Sequence, residues 1–422
     1  MFEKFSLNEG VTLYIRPTSQ FKTLNFSVKW KHPLTNESAA KRSVLANVLQ
    51  HSNEKYPSTA ALRMHLDELY GTAVYTDATK RGAVHNLSLN IECVNDQFLT
   101  EEVMPSVLNL LHDMIFKPNF EDGRFKQSIV DREKQSVMTR IQSIYDDKTR
   151  YAQFRMLQIL RPDHPASVTA NGTLEEVEKL TVDDLMSMYE EIINRDEVDI
   201  YVVGDVDPQT FAKELEKVLP FPARKSSSPS ADLKVADQNT EVQIVRERQE
   251  MKQGKLHIGF STSINFKHPD YAKMQITNGV FGGYPHSKLF MNVREKESMA
   301  YYVSSSYSSH YGLVYVMAGI DAELDEKAVN LIGEQLDEMK AGKITDLELS
   351  QTKALLINSL KETLDSARGQ IEIYDQYKSL SEDFSVEEWV EKWSSVSKED
   401  VQQMAETINM ELVYLLSGKE AN

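Results

Sequence analysis

A chain of 422 residues exceeds what one hydrophobic core supports, so two or more domains are expected. Apolar residues make up 41% and aromatic residues 9%, enough for ordinary globular cores, and no stretch approaches the roughly 18 uninterrupted apolar residues of a membrane span. The formal net charge of −17 argues against a nucleic-acid binder, which needs a basic stripe to neutralise phosphates, and against docking on an anionic membrane surface.

In chain order, MFEKFSLNEG has no basic run leading into an apolar one, so a secretory signal is not expected. Alternating apolar and polar residues predict strands at TLYIRPTS (12–19) and TLNFSVKW (23–30). A helix follows over AAKRSVLANVLQHS (39–52), carrying Asn47, Gln50 and His51 on one face. GAVHNLSLNIECV (82–94) reads as a further strand. Its Cys93 is the one cysteine, which rules out an intramolecular disulfide framework and a cysteine-ligated zinc site and favours the cytoplasm. EVMPSVLNLLHDMIF (102–116) has apolar residues at helical spacing. Residues 120–154 read as one or two helices, with Glu133 and Arg140 seven apart and so on nearly the same face.

Residues 221–239, FPARKSSSPSADLKVADQN, have serine, proline and no sustained apolar period, as a linker does. They separate a domain over 1–220 from one over 240–422. The second half repeats the pattern of the first: strands at VQIVRE and KLHIGFST, a helix at YAKMQITNGVF, a strand at GLVYVMAGID, a long helix at AVNLIGEQLDEMKAG. Each half closes on an N-capped helix with acids in its first turn, running into a buried strand: residues 180–205 and 396–418. An internal duplication is expected, giving an α+β protein of two homologous α/β domains arranged as a clam shell around a cleft.

Asn47, Gln50 and His51 stand at the spacing H-x-x-E-H, and here the sequence resembles the insulinase/pitrilysin family of zinc peptidases, whose fold is LuxS/metallopeptidase-like. In that family two histidines and a downstream glutamate hold zinc, and the glutamate inside the motif activates water. By that resemblance Asn47 takes the first histidine's place, Gln50 the catalytic glutamate's, and His51 is retained. Glu133 fits the first of two downstream glutamates, and Arg140 falls where the zinc-binding second belongs. A catalytic zinc site needs three protein ligands and an open position, and an amide cannot serve as a general base. A guanidinium about 4 Å from a dication is repelled by very roughly 8 kcal/mol at an effective dielectric near 20. No metal is therefore expected in this chain. His65 and Glu68 also read H-x-x-E, by coincidence of spacing. Residues 66–91 resemble a shortened form of the family's substrate-binding edge strand.

FGGYPHSKLFMNVREKESMAYYV (281–303) resembles the family's C-terminal signature. Gly282, Gly283 and Ser287 match its loop near substrate, and Arg294 and Tyr301 match an arginine–tyrosine pair that reaches the zinc site from the opposite domain. Guanidinium and phenol donors can hold a peptide carbonyl and stabilise its oxyanion. In many bacterial members the peptidase is split between two chains. The resemblance thus implies a non-catalytic subunit of a heterodimeric zinc metallopeptidase, with Arg294 and Tyr301 acting in trans on a peptide or unfolded segment. The zinc is expected in a partner with intact H-x-x-E-H. The alternative is a peptide-binding or scaffold protein with no proteolytic role, and the isolated chain can be a monomer or a homodimer.

Overall fold

The computed structural model describes residues 2–225, 241–381 and 385–418; of the expected linker, residues 226–239 lie outside the described part. The strands are β1 (Glu3–Asn8), β2 (Val11–Pro17), β3 (Thr23–Pro33), β4 (Ala73–Arg81), β5 (Val84–Val94), a two-residue pair β6 (Phe120–Glu121) and β7 (Arg124–Phe125), β8 (Glu197–Gly204), β9 (Gln243–Gln249), β10 (Gly254–Ser261), β11 (Tyr302–Ser308), β12 (Leu313–Ile320) and β13 (Asn409–Gly418). The helices ahead of β9 are α1 (Asn36–His51), α2 (Thr59–Glu68), α3 (Met104–Phe116), α4 (Gln127–Asp146), α5 (Lys148–Leu160), α6 (Leu174–Lys179), α7 (Val182–Asn194) and α8 (Pro208–Val218). Those after β10 are α9 (Tyr271–Asn278), α10 (Asp325–Lys340), α11 (Asp346–Leu364), α12 (Ala367–Tyr377), α13 (Val386–Ser395) and α14 (Lys398–Glu406).

The chain forms two compact units. Unit 1 comprises Met1–Ser143, Val168–Ala231 and Asp365–Ile373; unit 2 comprises Ile144–Ser167, Asp232–Leu364 and Tyr374–Asn422. Each unit therefore takes in a segment from the far side of the linker. In unit 1, Glu372 pairs with Lys29 of β3 at 2.7 Å and Arg368 with Asp77 of β4 at 2.6 Å. In unit 2, α5 lies on β10, where a Cβ on Gly259 would fall 2.6 Å from Leu160.

The duplication is visible in topology. The unit 1 sheet runs β1-β2-β8-β3-β5-β4 and the unit 2 sheet β9-β13-β10-β12-β11. Removing the edge strand β1 leaves the same path, with one parallel pair in each sheet, β2 with β8 and β9 with β13, and antiparallel pairs otherwise. The two closing motifs fold alike as well. Thr181 caps α7 in a capping box with Asp184, and Ser397 caps α14 in one with Asp400. β8 and β13 that follow are buried almost throughout. Residues 120–154 form two helices because Asp147 accepts from the amides of Thr149 and Arg150 and starts α5 afresh.

Behind the candidate site, α1 is pinned by a fully buried arginine. Arg42 bonds Asp196 through Nη1, the Trp30 carbonyl through Nη2 at 2.7 Å, and His85 Nδ1 through Nε at 3.1 Å. Among the described residues no helix is long and apolar enough to cross a membrane.

Candidate functional site

The first group of candidate residues lies in unit 1, where α1 and α4 meet. Thr35 starts α1 by accepting the Ser38 amide, so Asn47, Gln50 and His51 fall on one side of its last turns. On α4, Glu133, Ser136 and Arg140 share a face in the same way. Two of the three positions at which the resemblance expects ligands are bonded to each other. Arg140 Nη2 donates to Asn47 Oδ1 at 3.0 Å, and Asn47 Nδ2 donates to Ser136 Oγ at 3.4 Å. Arg140 Nη1 donates to Asn171 Oδ1 at 3.3 Å, which also accepts from Ser43 Oγ at 2.8 Å.

Gln50 has a structural use. Its Oε1 accepts the backbone amide of Thr76 at 3.1 Å, and the Thr76 hydroxyl lies 2.9 Å from Oε1 and 3.0 Å from the Ala46 carbonyl. Thr76 sits on β4, the edge strand, so the amide standing at the general-base position covers an edge N–H that strand addition needs.

His51 and Glu133 are the remaining potential donors. His51 Nε2 lies 4.0 Å from Glu133 Oε2, an ion-pair separation and not a hydrogen bond. Glu133 is 3% exposed and takes Arg132 Nε on Oε1 at 2.8 Å. One imidazole and one carboxylate already paired with arginine, facing the tethered Arg140, do not fit a zinc ion that requires three ligands. Among the described residues no group of three or more His, Cys, Asp or Glu side chains could hold a metal ion. His65 and Glu68 form only a local pair at 3.3 Å, with His65 stacked on Tyr56.

The second group lies in unit 2. Here the helix after α9 widens into π-helical turns at Gly279–Gly283 and Leu289–Lys296. Gly282 is buried, and a Cβ on it would come within 2.8 Å of the Ser305 amide and hydroxyl on β11. Gly283 is exposed, with the Asn278 carbonyl 3.2 Å from where its Cβ would stand. Ser287 is buried and accepts the Phe290 amide on Oγ at 3.4 Å. Arg294 and Tyr301 line one open cavity of about 410 Å³, with Glu295, Ser298 and Asp321. The Arg294 guanidinium stacks 4.5 Å from the Phe290 ring and stands 3.6 Å from Glu295. Tyr301 is 61% exposed and donates its hydroxyl to Asp321 Oδ1 at 3.1 Å, a bond that raises its pKa above the usual phenol value.

Sequence reasoning did not single out Ser43, Thr76, Ser136, Asn171 or Asp321. Asn171 precedes Gly172, whose φ of +72° and close approach to α1 mark a tight turn, and that glycine is the signal available for it. Nothing in the spacing couples Asp321 to Tyr301 or Thr76 to Gln50.

The chain is similar to known proteins over nearly its whole length. Residues 179–356 match the family model described as the Peptidase M16 inactive domain. Over 417 residues the chain is 37% identical to the "Probable inactive metalloprotease YmfF" of Bacillus subtilis (strain 168), covering 98% of this chain and 97% of that one. A crystal structure of a conserved protein from Enterococcus faecalis V583 superposes with a TM-score of 0.94 at 30% identity, over 100% of this chain and 99% of that one. The peptidase M16 inactive domain from Pseudomonas fluorescens superposes with a TM-score of 0.79 at 16% identity, over 100% and 99%, a likeness of fold.

Proposed function

Since the chain belongs to the M16 peptidase family, the insulinase/pitrilysin peptidases, as an inactive homologue, we propose that it is the non-catalytic subunit of a heterodimeric zinc metallopeptidase. The observation that carries this reading is the contrast between the two groups. The ligand positions are closed by the Arg140–Asn47 bond, whereas Arg294 and Tyr301 stand together in an open cavity. A protein kept only as a scaffold has no use for that pair in one accessible place.

In this reading the partner has an intact H-x-x-E-H and supplies the zinc and its activated water. This chain's part is to bind and orient. Arg294 donates from its guanidinium to the carbonyl of the scissile peptide and to the oxyanion that replaces it, and Tyr301 fixes the same peptide group at the other side of the cavity. Such groups need position and no metal of their own. The substrates are peptides or unfolded segments, and the cytoplasm is the compartment.

The test is reconstitution with an M16 chain that has all its zinc residues. Neither chain alone should cleave a quenched fluorescent peptide, and the mixture should. Arg294→Ala should lower kcat about a hundredfold or more, the usual effect of losing an oxyanion donor. Full activity in an Arg294→Ala, Tyr301→Phe double variant would leave the peptide-binding or scaffold reading in its place.

A further inference from the structure

Asp321 follows the end of β12 and stands at the N-cap of the short turn Ala322–Leu324, yet its side chain makes no capping bond. Aspartate is among the strongest N-capping residues. Here its Oδ1 instead accepts the hydroxyl proton of Tyr301 at 3.1 Å. The backbone sets the two side by side, because the Tyr301 amide donates to the Gly319 carbonyl at 2.9 Å, two residues before Asp321. A ring 61% exposed has little packing to hold it, so the carboxylate is what places the phenol. At the rim of the same cavity Ser298 has φ +50°, a strained conformation for a non-glycine residue and one that concentrates at functional sites.

A phenol has one proton. With that proton given to Asp321, Tyr301 presents only oxygen lone pairs to the cavity, and a carboxylate acceptor increases the electron density on that oxygen. Arg294 offers donors and no acceptor. Within the Arg294–Tyr301 pair one side chain thus donates and the other accepts, the complement of a single peptide unit with its C=O and its N–H.

We propose that Asp321 is a positioning residue that commits the Tyr301 proton, so that the cavity holds a peptide group through both ends: Arg294 donating to the carbonyl and the Tyr301 oxygen accepting the N–H. The proposal rests on the reading of this cavity as the place where peptide is held. It assigns Tyr301 the accepting role and leaves stabilisation of the oxyanion to Arg294. It also predicts selection for secondary amides over esters and N-alkylated amides, which lack the N–H.

The test uses the isolated full-length chain, labelled with 13C at the tyrosine Cζ. The Tyr301 signal, identified by its loss in Tyr301→Phe, is titrated with pH in the wild type, Asp321→Asn and Asp321→Ala. The bond to the carboxylate disfavours ionisation, so the midpoint should fall in both variants. The same signal then follows binding of a blocked penta-alanine peptide and of its depsipeptide, in which the central amide is an ester. The wild type should prefer the amide about tenfold, the scale of one lost hydrogen bond facing an unpaired acceptor. That preference should vanish in Asp321→Ala, and binding of both probes should be lost in Arg294→Ala. An unchanged Tyr301 midpoint in Asp321→Ala, equal affinity for the two probes, or failure of both to bind would overturn the proposal. Lack of peptidase activity with a partner would instead remove the subunit reading and leave these measurements on the single chain as they stand.

Discussion

Arg140 Nη2 donates to Asn47 Oδ1 at 3.0 Å, so two residues that replace zinc ligands now satisfy each other. The bond adds a physical reason to the missing ligands. A cation entering between α1 and α4 meets a held positive charge.

Restoration of metal binding should therefore depend on Arg140 before anything else. Asn47→His alone should retain less than about 0.1 zinc per chain after dialysis, because the arginine remains. Asn47→His with Arg140→Glu joins two new donors to His51 and should approach about one zinc per chain. Elemental analysis of both proteins decides it, and equal zinc in the two would show that the arginine excludes nothing.

Arg42 is fully buried, with partners on every nitrogen: Asp196 and Met188, the Trp30 carbonyl, and His85. Arg42→Met should destabilise unit 1 by about 3–5 kcal/mol, mainly because Asp196 loses its charge partner. Trp30 fluorescence during urea unfolding, with Trp389 and Trp393 replaced by Phe, reads this directly.

Two buried histidines make stability depend on pH. Burial first, and then the neighbouring Arg42, push His85 down to about 3; burial first, and then Lys255, push His257 down to about 3. A depressed histidine is neutral in the fold while the unfolded chain takes up a proton near 6.5. Stability is thus fully present above that value and is lost as pH falls, down to the folded pKa near 3. The slope is very roughly 1 kcal/mol per pH unit for each histidine. Urea midpoints between pH 7 and 5 should fall accordingly. His257→Leu should flatten the dependence without destabilising at pH 7, since neither ring nitrogen of His257 has a hydrogen-bond partner.

Gly282→Ala places a methyl within 2.8 Å of the Ser305 amide. Either β11 or the π-helical turn must move, at a cost of about 1–3 kcal/mol. Because Tyr301 directly precedes β11, the variant should also lower the activity of the reconstituted complex. A lowered midpoint with unaltered activity would show that the shift stops short of the cavity.

Much of the fold was legible because its signals are local. The capped helices ending each half announce themselves by Thr181 with Asp184 and Ser397 with Asp400, and the alternating segments became β2, β3, β5, β9, β10 and β12. β11, YVSSSYS, is poor in apolar residues and did not stand out as a strand. The assignment of α5 to unit 2, and of Asp365–Ile373 to unit 1, depends on contacts far apart in sequence. Side-chain partners followed the same division: Asn47, Gln50, His51, Glu133 and Arg140 are readable by spacing along α1 and α4, whereas Asn171, Thr76 and Asp321 arrive from other elements.

The Gln50–Thr76 bond ties β4 to α1. By holding both the Thr76 backbone and hydroxyl, the amide is part of how an outer strand is fastened to a helix. A glutamate at position 50 would keep one carboxylate oxygen on the Thr76 amide and hydroxyl, and a change that freed that oxygen would loosen the strand. The side chain standing where a general base is expected therefore serves as masonry, joining the last turns of α1 to the rim of the sheet.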